Sequence, residues 1–240
     1  MTTLLSLCFV FAAAAKKPPP IPEAAWKPGE AASAASKAGN GATYAPDWPL
    51  SEASFREALA VEPNCGMAQL GLGRALVMQS RVAEALVPLS QASRAFPEQL
   101  DTHVWYARAL FEAGLPAEAV VEAKAALTLK PGSVEAQTVA QRALRAEKRY
   151  AEAHEMVAAA RGVANAVAWD CFDGVVYALE DRLGEATKTS SRCSGSPDPE
   201  LYRELTTAIM EAVARAEAAA PPPEPEPPAV APVAPKKRSK

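Results

Sequence analysis

Histidine is nearly absent from this chain: there are two in 240 residues, His103 and His154. They stand far apart, and neither has a second His or Cys at helical ligand spacing, so no metal site is expected. A phosphate-binding loop is missing too. The run GLG at 71–73 lies in a stretch of helical pattern, with no lysine where such a loop needs one. Nor is there a dense charge of one sign. The net charge is −3, and the only basic cluster is the terminal KKRSK. A phosphate backbone calls for a basic face, so no nucleic-acid partner is expected. With no catalytic constellation, the chain is not expected to be an enzyme and no cofactor is expected.

What is present begins with MTTLLSLCFVFAAAA, residues 1–15, which reads as a secretory signal peptide. An apolar core from Leu4 to Phe11 precedes small residues suited to cleavage. The run is shorter than the roughly 20 residues a bilayer crossing needs. Against it stand the lack of Lys or Arg before the core and the immediate Lys16 and Lys17. The expected location is therefore exported, periplasmic or secreted, with a cytoplasmic chain carrying an untargeted leader as the alternative. Leu7–Cys8 lacks the small residue that precedes a lipidated cysteine. An exported chain keeps Cys65, Cys171 and Cys193 where disulfides are permitted, and three cysteines leave at least one unpaired.

Residues 16–48 are rich in Pro, Ala, Gly and Ser and are expected to be linker, with Trp26 and Trp48 packing on the edge of the folded part. At the other end, 221–240 reads PPEPEPPAVAPVAPKKRSK after Pro221 and is expected to be a disordered basic tail.

Between them a spacing repeats. Pro63, Pro97 and Pro131 fall at a constant 34-residue step. GLGRALVMQSRVAEALVPLSQASRAFP (71–97) and YARALFEAGLPAEAVVEAKAALTLKP (106–131) share an R-A-L, an A-E-A and a closing proline. Such a period marks stacked helical hairpins. The apolar pattern predicts helices at 66–79 and 82–95, 100–113 and 116–129, and 134–147 and 150–162. Gly114 ends one helix and Pro116 suits the first turn of the next. Pro88 predicts a kink, or a start near Val87. Before them, Ala53, Phe55, Ala58 and Leu59 predict one helix capped by Ser51 and stopped by Pro63, a half unit. A weaker unit runs from about Val167 to Gly195. A last helix from about Pro199 to Ala219, capped by Asp198, carries the stripe Leu201, Leu205, Ala208, Ile209, Ala212 and Val213.

These residues carry a resemblance. Leu72–Gly73, Leu76, Ala85, Ala92 and Pro97, and then Tyr106–Ala107, Leu110, Gly114, Ala119, Ala126 and Pro131, stand where the tetratricopeptide-repeat family places its small and bulky residues and its closing proline. Leu144, Tyr150, Ala153 and Ala160 continue it, but Gln141 replaces a small residue and Asn165 stands at the stop. The resemblance covers roughly 50–195. It implies an all-α fold: a right-handed superhelical solenoid of helix–turn–helix repeats over 49–196, about 3.5 to 4 of them, with a capping helix at 197–220 and disordered proline-rich tails.

The resemblance also implies a concave groove that takes a protein or peptide partner. Arg74, Arg108 and Arg142 recur at the 34-residue step on that face, where guanidinium forks could grip carboxylates. Met67, Leu70, Val77, Val104 and Phe111 would share it. The alternative is that these arginines pair with internal acids such as Asp101, Glu112 or Glu135. Where the family carries a carboxylate clamp, this chain has Leu70, Arg74, Trp105, Glu135 and Val139, so chaperone-tail binding is not expected. Cys171 and Cys193 fall at adjoining ends of one antiparallel hairpin, which leaves either a disulfide or two buried thiols. The expected function is a non-catalytic scaffold or adaptor in the cell envelope. A self-associating, homo-oligomeric structural or spacer module without a peptide ligand is the alternative.

Overall fold

The computed structural model describes residues 47–163, 167–196 and 198–219. The leader, Trp26, Asn165 and the terminal tail lie outside the described residues. Among those described, all regular structure is helical: α1 Trp48–Val61, α2 Gly66–Met78, α3 Val82–Ala95, α4 Leu100–Glu112, α5 Pro116–Leu129, α6 Val134–Ala146, α7 Tyr150–Val163, α8 Val167–Leu179, α9 Leu183–Cys193 and α10 Pro199–Ala219. No described helix is long and apolar enough to cross a membrane.

The helices begin and end where local chemistry dictates, with one departure from expectation. Helix α1 starts earlier than Ser51. Pro49 has no N–H to lose and is tolerated in a first turn, so the helix reaches back to Asp47, whose Oδ1 accepts from the Leu50 N–H at 3.0 Å. Ser51 is instead fully buried. Helix α3 spans Val82–Ala95 as expected, with the buried Pro88 inside it, so the alternative start near Val87 is not taken. Elsewhere the caps match the residues: Pro116 opens α5, Ser133 Oγ accepts from the Ala136 N–H, and Asp198 Oδ1 accepts from the Glu200 N–H.

Two kinds of turn alternate. Within each hairpin the chain turns through a left-handed residue: Ser80, Gly114, Lys148 and Asp181, with φ of 61°, 79°, 56° and 58°. At each, the next N–H reaches back to a carbonyl near the helix end: Arg81 to Leu76, Leu115 to Leu110, Arg149 to Leu144 and Arg182 to Tyr177. The first three keep the 34-residue step, and Asp181 arrives one position early. Between hairpins the closing proline sits second in a tight turn. The N–H groups of Cys65, Gln99 and Ser133 donate to the carbonyls of Glu62, Phe96 and Lys130.

The chain divides between Trp169 and Asp170 into two compact units. In the first, sequential helices pack as neighbours, α1 on α2 through α6 on α7, and α2 also meets α4 and α4 meets α6. Small residues set the approach. A Cβ on Gly71 would stand 2.2 Å from the ring of the fully buried Phe55, and one on Gly73 would stand 2.3 Å from Leu89 Cγ. The position of Gly73 recurs as Ala107 and then Gln141, all buried. Gln141 fits because its Nε2 donates to the Ala153 carbonyl at 2.9 Å across the hairpin, giving a polar contact where the other repeats use bare backbone approach. The N-terminal end is pinned by Glu52, which accepts from Arg56, Gln79 and Arg81. Burial alone would raise its pKa, but the hydrogen bonds from Gln79, Arg56 and Arg81 outweigh it and hold the carboxyl below its usual range.

In the second unit, α10 lays Leu201, Leu205, Ala208 and Ala212 into the core. Gly174 gives Thr189 and Leu205 room: a Cβ there would meet them at 2.3 and 2.8 Å. Cys171 and Cys193 are joined, with Cα atoms 4.9 Å apart. Cys65 takes no part in this bond and is buried in the first unit. Of the stripe expected on α10, Val213 is over a third exposed; outside the stripe, Tyr202 is over a third exposed and Met210 about two thirds.

Candidate functional site

The first helices of successive hairpins lie side by side, so residues at i, i+3, i+4 and i+7 of α4 and α6 face a common space. That space is a cavity of about 530 Å³. Helix α4 contributes Val104, Trp105, Arg108 and Phe111. Helix α6 contributes Val139 and Arg142, with Lys130 and Ser133 from the intervening turn. Its charge is mixed, with Arg108, Lys130 and Arg142 against Asp101, Glu112 and Glu135. Ser133 does two jobs. Its hydroxyl caps α6 and donates to Glu135 Oε2 at 3.0 Å, which orients that acid.

Of the residues assigned to the groove from sequence, Val104, Arg108, Phe111 and Arg142 line this cavity. Leu70 and Val77 instead belong to the buried core of the first unit, with Met67 packed against it. They sit on the same face of α2 as their counterparts on α4, but there they are enclosed by packing.

The arginines do not form an even ladder. The Arg74 and Arg108 guanidinium carbons stand 5.0 and 5.2 Å from the centre of the Trp105 ring. Two cations from adjoining repeats thus converge on one aromatic, an arrangement worth about 0.5–1 kcal/mol per contact near a surface. Arg108 Nε also donates to Glu112 at 2.8 Å on its own helix. Arg74 Nε is buried without a hydrogen-bond partner. Arg142 is exposed at the cavity. Sequence reasoning missed Lys130, Ser133 and Thr138, and it counted Trp105 only among the positions where the family's clamp is lacking. The signal for Trp105 is local: it adjoins Val104 and lies three positions before Arg108.

Both ring nitrogens of His103 face acceptors, Nδ1 toward Glu122 at 2.7 Å and Nε2 toward the Pro97 carbonyl at 3.0 Å. The hydrogen bond to Glu122 outweighs burial and raises the pKa of His103. This pair lies between α4 and α5, away from the cavity, and is part of the hairpin's interior. Among the described residues, no group of three His, Cys, Asp or Glu side chains is placed to hold a metal ion.

The comparisons agree with the helical-repeat fold. A tetratricopeptide-repeat family model matches residues 36–89 and 89–134. No curated protein matches the chain. Among solved structures, a tetratricopeptide repeat protein from Parabacteroides merdae superposes with a TM-score of 0.65 at 18% identity, covering 79% of this chain and 77% of its own. A thermophilic repeat protein from Thermus thermophilus gives 0.57 at 16% identity, covering 75% of this chain and all of its own. YrrB, described as a repeat protein with an unusual peptide-binding site, gives 0.57 at 21% identity, over 70% of this chain and 88% of its own. These likenesses are likenesses of fold.

Proposed function

We propose that this chain, a tetratricopeptide-repeat protein, is a non-catalytic adaptor that holds an extended peptide of a partner protein between α4 and α6. The observation that carries the reading is the cavity of about 530 Å³ in which Trp105 and Phe111 supply apolar contact beside Arg108 and Arg142. Its volume falls in the range of about 300–1,000 Å³ typical of ligand pockets. Apolar walls provide affinity and the mixed charges fix direction and register. A peptide with both acidic and basic side chains around an apolar residue suits this lining better than a purely acidic one. Arg108 is already engaged by Glu112, so a partner carboxylate competes for it. The peptide-binding site described for YrrB is consistent with this use of the fold. Export to an oxidising compartment belongs to the same proposal, supported by the leader-like residues 1–15 and the Cys171–Cys193 bond.

The test is selection of peptides from a random display library on the full chain, followed by binding titrations. Selected peptides should lose affinity for Phe111→Ser and Arg142→Ala, with the melting temperature little changed. Undiminished binding by both variants overturns the reading. A second reading, self-association, is favoured by the exposed Tyr202, Met210 and Val213 on α10. A monomeric mass by light scattering removes it.

A further inference from the structure

One repeat departs from the others at a buried polar position. Gln69 on α2 recurs as His103 on α4 and Gln137 on α6, at the same 34-residue step. The three are 5%, 8% and 1% exposed. In the first repeat Gln69 Nε2 donates to the Pro63 carbonyl at 3.0 Å and to Gln91 Oε1 on α3 at 3.4 Å. In the second, His103 meets the Pro97 carbonyl and Glu122 on α5. Each side chain therefore finds the closing proline's carbonyl and an acceptor on the second helix of its own hairpin.

In the third repeat neither contact is made. Gln137 Nε2 is buried with no hydrogen-bond partner. The 34-residue successors of Glu122 and, two repeats on, of Gln91 are Met156 and Ala159 on α7, and neither side chain offers an oxygen acceptor. Both line a cavity of about 340 Å³, together with Leu127, Pro131, Lys124 and Gln137 itself. This cavity shares no residue with the one between α4 and α6.

We propose that this second cavity binds a neutral carbonyl group, a peptide bond or a primary amide, carried on a small apolar body. The ligand oxygen accepts from Gln137 Nε2, and Leu127, Met156 and Ala159 lie against the apolar part. A buried donor left unsatisfied is costly, so an incoming acceptor relieves that cost as it binds. Neutrality follows from the neighbouring repeats. A neutral amide donor, Gln69, faces a neutral amide oxygen, whereas the carboxylate of Glu122 faces an imidazole. A carboxylate at Gln137 would be desolvated against one neutral donor, because Lys124 at the rim is already bound to Glu152.

The experiment follows the side-chain amide resonances of Gln137 in the isotope-labelled full chain, identified by their loss in Gln137→Met. Pentanamide, N-acetyl-leucine methylamide and pentanoate are titrated in turn. Saturable shifts are expected with the two neutral compounds, with pentanoate weaker by about tenfold because its charge is desolvated against one neutral donor. Tighter binding of N-acetyl-leucine methylamide assigns the site to a peptide segment, and tighter binding of pentanamide assigns it to a small amide. Met156→Gln and Ala159→Gln, which each restore an internal acceptor, should weaken both neutral compounds by about tenfold, the value of one hydrogen bond of ordinary strength. Absence of any saturable shift at Gln137, an equal response to pentanoate, or undiminished binding in folded Met156→Gln and Ala159→Gln overturns the proposal.

Discussion

Nδ1 of His103 stands 2.7 Å from Oε2 of Glu122, and the other nitrogen of the ring stands 3.0 Å from the Pro97 carbonyl. A neutral imidazole has one N–H and can serve only one of these acceptors, whereas the imidazolium serves both. The facing charges are Glu122 on α5 and Glu98 in the preceding turn, and both act to raise the pKa of His103. A raised folded-state pKa means the contribution to stability is complete below the unfolded value of about 6.5 and fades as pH rises through the folded value.

Thermal unfolding should therefore show a loss of stability above neutral pH that is absent in His103→Gln. The charge-assisted contact is worth about 1.5–3 kcal/mol. A wild-type profile parallel to that of His103→Gln between pH 6 and 9 would contradict this assignment.

Gly114 has φ of +79° and no atom within 4 Å of a built Cβ, so its requirement is conformational and not steric. Gly114→Ala should cost about 1 kcal/mol through the left-handed backbone alone. Lys148→Gly, at the same point of the next hairpin with φ of 56°, should gain a similar amount. Urea midpoints that move in opposite directions for the two variants are the expected result.

Gly71 lies flat against Phe55, with a Cβ placed 2.2 Å from the ring. Gly71→Ala should destabilise by about 1–3 kcal/mol despite alanine's better helix propensity, because Phe55 is enclosed and has nowhere to retreat. Combining it with Phe55→Leu should cost less than the sum of the two single changes. Additive losses in a double-mutant cycle would rule out the contact as the cause.

The bond between Cys171 and Cys193 closes a loop in the hairpin of α8 and α9. Chain entropy assigns a loop of this length about 3 kcal/mol. Reduction, or Cys171→Ala with Cys193→Ala, should lower the unfolding free energy by that amount, read from denaturant titrations. Peptide mapping of the protein without reductant should recover the two cysteines in one linked fragment.

The sequence alone determined the hairpins, because their signals are local. Pro63, Pro97 and Pro131 at their constant step suit turns, Pro116 suits a first helical turn, and the alanines and glycines between them mark where helix axes touch. The expected helices 66–79 through 150–162 match α2 to α7 to within a residue or so at each end. Ser51 failed as a cap since Asp47 and Pro49 upstream let the helix start sooner. Tertiary structure decided what the sequence could not: which side of a shared face is covered. Leu70 and Val104 occupy the same register, yet packing against the neighbouring helices encloses the first, while the second opens on a cavity. It also decided that Arg74 and Arg108 would meet on Trp105, and that Gln137 would be left without the acceptor its counterparts have. Periodicity states which residues share a face. Burial and pairing depend on neighbours in other helices, whose side chains no local spacing records.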